Sequence, residues 1–293
     1  MTVFGSGYRT LNVPLQPTWR RLQALAVTSF KAPFARRMGL LAYLFTFLPG
    51  LGNLIFLLLT SGLITFGDSA GSGPSPAAQS IYDPTEARTY LRLVTDQFVQ
   101  FAFALTAWIT CRAIARDRVA GALELLWTRG ITPVGYFVAH WVGSFTLLAL
   151  PTLGCQLLIY IVAYSTSADE EFLSNSFEPF LRAFAGSAVL LAVLTFLPLC
   201  ISAIVSRAQL ASILWIGGLL LLGAVSVIAG SIFRDVPGVG LIAPWRAMVE
   251  LASQIAGTTE DDLLVESSLS LGFWVVLLGS LAMRRLRPTE ALA

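Results

Sequence analysis

Long apolar runs separated by short polar stretches organise the whole chain. A membrane-crossing helix needs about 20 apolar residues, because a rise of about 1.5 Å per residue must cover about 30 Å of hydrocarbon. The pattern predicts six such helices, over about 39–66, 96–111, 136–164, 181–205, 210–233 and 263–283. The second is short as an apolar run and is read as extending outward. Pro49-Gly50 falls inside the first and predicts a kink or break there; Pro151 sits in the middle of the third and Pro198 in the fourth.

The segments between these runs carry their own patterns. Over 17–38, Trp19, Leu22, Leu25, Ala26 and Phe30 recur at helical spacing with Arg20, Arg21 and Lys31 between them. That suits a helix lying in the membrane interface or one packed on the rest of the protein. After a Gly/Ser/Pro-rich stretch over 67–76, Asp83-Pro84-Thr85-Glu86 reads as a helix start: Asp83 caps, Pro84 takes the first helical position and Glu86 completes a capping box. Over 232–268, Trp245, Met248, Val249, Ala252 and Ile255 form an apolar stripe, with a second start at Thr258 or Thr259. This predicts two short helices dipping toward the outer leaflet, a re-entrant-like element before the sixth span.

Charge sets the orientation. With both termini cytoplasmic, 14 of the 19 basic residues fall inside, and only Asp117, Glu124 and Glu290 of the 17 acidic ones do. The chain therefore reads as 1–38, a cytoplasmic and interfacial segment, followed by 39–293, a six-span transmembrane domain. Composition agrees: 56% of residues are hydrophobic, 12% are charged, and mean hydropathy is +0.74. Such a chain cannot supply the polar surface of a soluble enzyme, nor is it disordered. A multi-pass protein of the cell (inner, cytoplasmic) membrane is expected, without a cleavable leader, because the first 37 residues are polar and basic.

Residue usage narrows the chemistry. The net charge of +2 suggests no nucleic-acid partner. The single lysine, Lys31, has no glycines before it, so the chain has no phosphate-binding loop of the GxxxxGK[ST] kind. One histidine, His140, rules out an HExxH metal site, and Cys111, Cys155 and Cys200 read as small buried hydrophobes. No metal or other cofactor is expected in this chain.

The informative segment is the cytoplasmic loop between the second and third spans, RDRVAGALELLWTRGITP over 116–133, followed by VGYFVAH. Leu123, Leu125, Leu126 and Trp127 form an apolar cluster whose exposure to water would cost about 1.5–3 kcal/mol per side chain. It must pack on the spans or on a partner. Thr132-Pro133 then starts the third helix.

This loop resembles that of type-2 ATP-binding-cassette exporter permeases, which reads roughly ER..GTLELLL.TP.S...I..GK. Gly121, Leu123, Glu124, Leu125, Leu126, Thr132 and Pro133 match; Ala122, Gly130 and Ala139-His140 depart from it, and Asp117 meets the first acid only approximately. The resemblance implies that the loop is a coupling helix, with Gly121, Leu123, Glu124, Leu125, Leu126, Trp127 and Arg129 docking onto a separate ATPase subunit that binds ATP and Mg. It also implies a second permease chain, identical or not.

Ionisable and polar residues at membrane depth are the other candidates. Asp96, Gln97, Gln100 and Gln156 could line a translocation path; an ion pair of Asp96 with Arg92 and interhelical hydrogen bonds from the glutamines are the alternatives. Glu178 and Arg182 read as a structural pair, His140 as an interface residue, and Trp108, Trp141, Tyr160 and Tyr164 as interfacial belt aromatics. An ATP-independent transporter or scaffold is the competing function. An intramembrane enzyme lacks its motifs, having neither GxSG with a paired His nor paired intramembrane aspartates.

Overall fold

Five helical stretches are long and apolar enough to cross a membrane: Arg37–Leu59, Pro133–Thr166, Phe172–Ile204, Ala208–Ile232 and Leu264–Leu286. They come from a computed structural model that describes residues 17–35, 37–60, 83, 85–128, 130–167, 171–233, 238–259 and 262–287. The described residues are 89% helical and contain no strand. This is the make-up of an all-α, multi-pass membrane protein.

The described residues open with α1 (Thr18–Lys31), and the first long stretch is two helices, α2 (Arg37–Phe45) and α3 (Leu48–Thr60). The expected break lies at residues 46–47, just ahead of Pro49, whose missing N–H leaves the turn without one helical bond. Thr46 fills part of that gap, donating from both its N–H and its hydroxyl to Tyr43 O at 3.0 and 2.6 Å.

The predicted second span is absent from the five long stretches, for a geometric reason. Its chain is one helical run over 87–119, built of α4 (Ala87–Arg92), a wide π turn (Leu93–Phe98), α5 (Val99–Leu105), a second wide turn (Thr106–Thr110) and α6 (Cys111–Val119). A π turn shifts the backbone bonding pattern and frees main-chain groups. At the second turn, neighbouring helices bond two such main-chain groups and one side chain. Ser212 Oγ donates to Ala107 O at 2.5 Å, Ala115 N–H donates to Ser202 Oγ at 3.1 Å, and Trp215 Nε1 donates to Thr106 Oγ1 at 3.2 Å. The helix start also differs from the sequence reading. Asp83 Oδ1 accepts from the Thr85 N–H and hydroxyl at 2.8 and 2.6 Å, closing a local turn, and the helix begins three residues later than a cap at Asp83 would place it.

After the short α7 (Ala122–Thr128) come α8 (Pro133–Thr166), α9 (Phe172–Ile204) and α10 (Ala208–Ile232), then a 3-10 turn (Val239–Ile242), α11 (Pro244–Ala256) and α12 (Leu264–Leu286). Helix α9 is the hub: its apolar window is 61% buried, against 11% for α10 and for α12. Ile213, Leu220, Leu221, Phe273 and Val276 of the outer helices remain exposed, a surface suited to lipid chains or a second chain. Tyr160 and Trp141 make interhelical contacts. Tyr160 stacks on Phe180 at 4.1 Å, and Trp141 Nε1 donates to Ala192 O at 3.0 Å. Glu178 and Arg182 form the expected pair on α9.

The segment before α12 does turn back into the helix layer, but as a 3-10 turn and one helix instead of two helices. Residues 258–259 and 262–263 are not helical. Ser226 of α10 donates to Gly240 O, and Ser270 and Trp274 of α12 donate to Leu241 O and Ile242 O at 2.6 and 3.0 Å. Ser226 lies six residues before the end of α10, and Ser270 six residues after the start of α12. At about 1.5 Å per residue, the turn sits about 9 Å inside the helix ends. In α11, Met248 and Ala252 of the predicted stripe are fully buried.

Two ends result. At one, Glu86, Arg88, Asn175, Glu178, Arg182 and Thr258 surround an open polar cavity of about 620 Å³. At the other, Leu22 and Leu25 of α1 share one apolar cluster with Ile131, Tyr136, Leu199, Ala282 and Leu286. So α1 and the end of α12 lie at the same end of the bundle. Of the two readings left open for α1, packing on the protein is what the structure shows. It lies along the first turns of α8, with Gly143 so close to it that a Cβ there would come within 2.5 Å of Ala26 O.

Candidate docking helix and its anchor

Two glycines delimit α7. Gly121 and Gly130 have φ of 68° and 70°, a region in which a side chain would be strained. Gly121 N–H donates to Arg118 O at 3.1 Å and closes α6; Gly130 N–H donates to Trp127 O at 3.0 Å, and Ile131 N–H to Leu126 O at 3.3 Å, closing α7. Thr132 Oγ1 then caps α8 by accepting from Gly135 N–H at 3.1 Å, with Pro133 in the first helical position. The sequence pattern G-x8-G-x-T-P thus dictates helix end, short helix, helix end and new helix.

The short helix has two sides. Leu123 is 9% exposed, Leu126 and Trp127 are half-buried, and all three pack on the chain's own helices. Trp127 meets Tyr136 edge-on at 5.7 Å. Glu124 is exposed. The side chains of Leu125, Asp96, Gln97 and Gln100, and all of Arg129, lie outside the described residues. Gln156 is fully buried, and its Nε2 donates to Tyr90 O and Ser187 Oγ, both at 2.8 Å. It ties α4, α8 and α9 together.

Beneath α7 lies a polar node that sequence reasoning missed. Tyr136 OH donates to Asp117 Oδ2 at 2.7 Å, and His140 Nε2 approaches the same oxygen at 3.3 Å. His140 Nδ1 is 2.8 Å from Ser29 Oγ on α1. Burial pushes the Asp117 carboxyl up, but hydrogen bonds from His140 and Tyr136, and the charges of His140 and Arg116, outweigh it and hold the group below its ordinary value. Next to it, Arg118 donates to Ala203 O at 2.6 Å and Val205 O at 3.3 Å, placing a cation on the C-terminal carbonyls of α9. The one available sequence signal was Tyr136 and His140, four residues apart on one face of α8.

Removing Asp117 is expected to expose this arrangement. Asp117→Ala leaves the buried Tyr136 hydroxyl without an acceptor, at a cost of about 1–3 kcal/mol at neutral pH. A carboxyl with a depressed folded-state pKa contributes stability above its unfolded value of about 3.9 and loses it as pH falls through the folded value. Thermal unfolding of both proteins from pH 7 to pH 3 should therefore show a gap that narrows only below about pH 4. A gap constant across that range would assign the effect to packing.

No model of a known protein family matches the chain, and no curated protein matches it. The functional reading rests on the site itself and on the loop's resemblance.

Proposed function

We propose that this chain is the permease subunit of an ATP-binding-cassette exporter, working with a separate ATPase and a second permease chain. The helical run over 87–119 then serves as a sixth crossing, the basic end faces the cytoplasm, and the cell membrane is the site of action. One observation carries the reading. Glu124 is exposed on a short helix whose opposite side is anchored in a cluster shared by α1, α8, α9 and α12. A partner that seized the exposed side would move the ends of four helices at once. Close-packed interiors transmit such displacement instead of absorbing it.

The chain supplies no phosphate-binding loop, so ATP and Mg belong to the partner. Purified from its native membrane in mild detergent, the chain is expected to bring an ATPase with it near one-to-one and to hydrolyse no ATP once that partner is stripped. Robust hydrolysis by the isolated chain would defeat the proposal. Transport that survives deletion of every candidate ATPase would replace it with an ATP-independent transporter.

A further inference from the structure

Between α1 and α6, beside the Asp117 node, lies a cavity of about 210 Å³. A water's share of liquid volume is about 30 Å³, so there is room for a charged group and several waters. Arg112 and Arg116 line the cavity one helical turn apart, and Trp108 lines it one turn before Arg112. Ser29, Asp117 and His140 also line it, among apolar residues of α1 and α6.

The polarity of this wall is graded. Trp108 is at the edge of the apolar run that ends at Cys111, and Arg112 is the first charged residue after it. From the second wide turn into α6, the lining passes from an indole to two guanidiniums, the order in which a phospholipid passes from acyl chain to headgroup. Arg112 Nε is buried and has no hydrogen-bond partner among the described residues. A buried guanidinium nitrogen left in that state costs free energy that an anionic oxygen would recover. The one carboxylate in the wall, Asp117, is already engaged by Tyr136 and His140, so it offers Arg112 little competition. Two guanidiniums therefore face the cavity with a single, occupied counter-charge.

We propose that this cavity seats the phosphoryl headgroup of an anionic membrane lipid, held by Arg112 and Arg116 with the Ser29 hydroxyl at its side. Basic pockets between helices at the membrane boundary are suited to such headgroups. The inference requires only that the protein lies in a membrane; it is independent of any ATPase. A bound lipid would fill the space under α1 and join that helix to α6.

The test uses the full chain in dodecyl maltoside, with thermal unfolding followed while phosphatidylglycerol, phosphatidylcholine or inorganic phosphate is added. Phosphatidylglycerol is expected to raise the unfolding midpoint, and the other two are expected to have little effect. Arg112→Gln should weaken the apparent affinity for phosphatidylglycerol by at least about tenfold. Arg116→Gln, at an exposed side chain that packing does not need, should weaken it in the same direction. Arg207→Gln, a basic residue that does not line the cavity, should leave it unchanged. An equal response in all four proteins would overturn the site. An equal shift with phosphatidylcholine would reduce the effect to general lipid solvation and overturn it as well. An equal shift with inorganic phosphate would overturn the lipid assignment in favour of a soluble phosphoryl compound.

Discussion

Glu124→Ala is expected to leave the folded protein as stable as the parent and to weaken the proposed ATPase docking about 5- to 150-fold. The side chain is exposed, so its removal takes nothing from the chain's own packing. In the proposed complex its carboxylate meets a basic group or a helix N-terminus, and removing it leaves that donor buried and unpaired, at a cost of about 1–3 kcal/mol. Leu123→Ala should do the reverse. Leu123 is buried in the cluster shared by α1, α8, α9 and α12, and truncating a buried leucine costs about 2–5 kcal/mol of folding stability. Its docking constant, measured on the surviving folded fraction, should change less than that of Glu124→Ala. Measuring unfolding and ATPase binding on the same preparations separates the two sides of α7. An unchanged binding constant for Glu124→Ala would sink the docking assignment.

A valine at Gly186 is expected to destabilise the helix bundle severely. An added Cβ at that position would sit 2.5 Å from Ala252 O, with Ala252 C and Cα at 3.3 and 3.4 Å. All three atoms are backbone, so no side chain can swing aside, and α11 itself must move off α9. Overpacking of this kind costs about 3 kcal/mol or more. Small residues are buried on both helices, Ala183 on α9 and Ala247, Ala252 and Ala256 on α11, and small residues are what let two helices lie close. Gly217→Ala provides the contrast. Nothing lies within 4 Å of its added Cβ, and alanine favours a helix over glycine by about 1 kcal/mol. Unfolding midpoints of the two variants should therefore move in opposite directions. A tolerated Gly186→Val would mean that α9 and α11 are not held in contact.

The long helices were legible because lipid-facing and interior positions are both apolar, so a run's length alone reveals a span. The runs read over 136–164, 181–205 and 210–233 correspond to α8, α9 and α10. The largest error lies at the start of α9, where Phe172–Glu178 is polar by composition yet continues the helix for two more turns. Wide turns left no trace in composition: 93–98 and 106–110 read like any other helix, and at the second of them Ser202 and Ser212 from other helices bond main-chain groups in and just after the turn. The Ser29–His140–Asp117 node escaped for a related reason. Ser29 and His140 are 111 positions apart, and no local pattern announces which hydroxyl a lone histidine will meet. The short helix α7 was legible because its glycines, the Thr-Pro start after it and its apolar cluster all act locally. Which of its side chains would turn inward was not, since Leu123 and Glu124 differ in fate only through the helices that α7 happens to lie on.

The wide turn over 106–110 has a consequence for how this chain can change length. A π turn accommodates one residue more than the α-helix it interrupts, while the helix on either side keeps its facing. Losing one residue there would restore ordinary winding and leave Asp117 and Arg118 pointing at Tyr136 and the end of α9. Losing one residue from α6 itself would instead rotate everything after it by about a third of a turn, at 3.6 residues per turn, and swing both side chains away from their partners. Within one helix, then, neighbouring positions differ sharply in how they bear a deletion, and the tolerant ones are those where the backbone is already overfull.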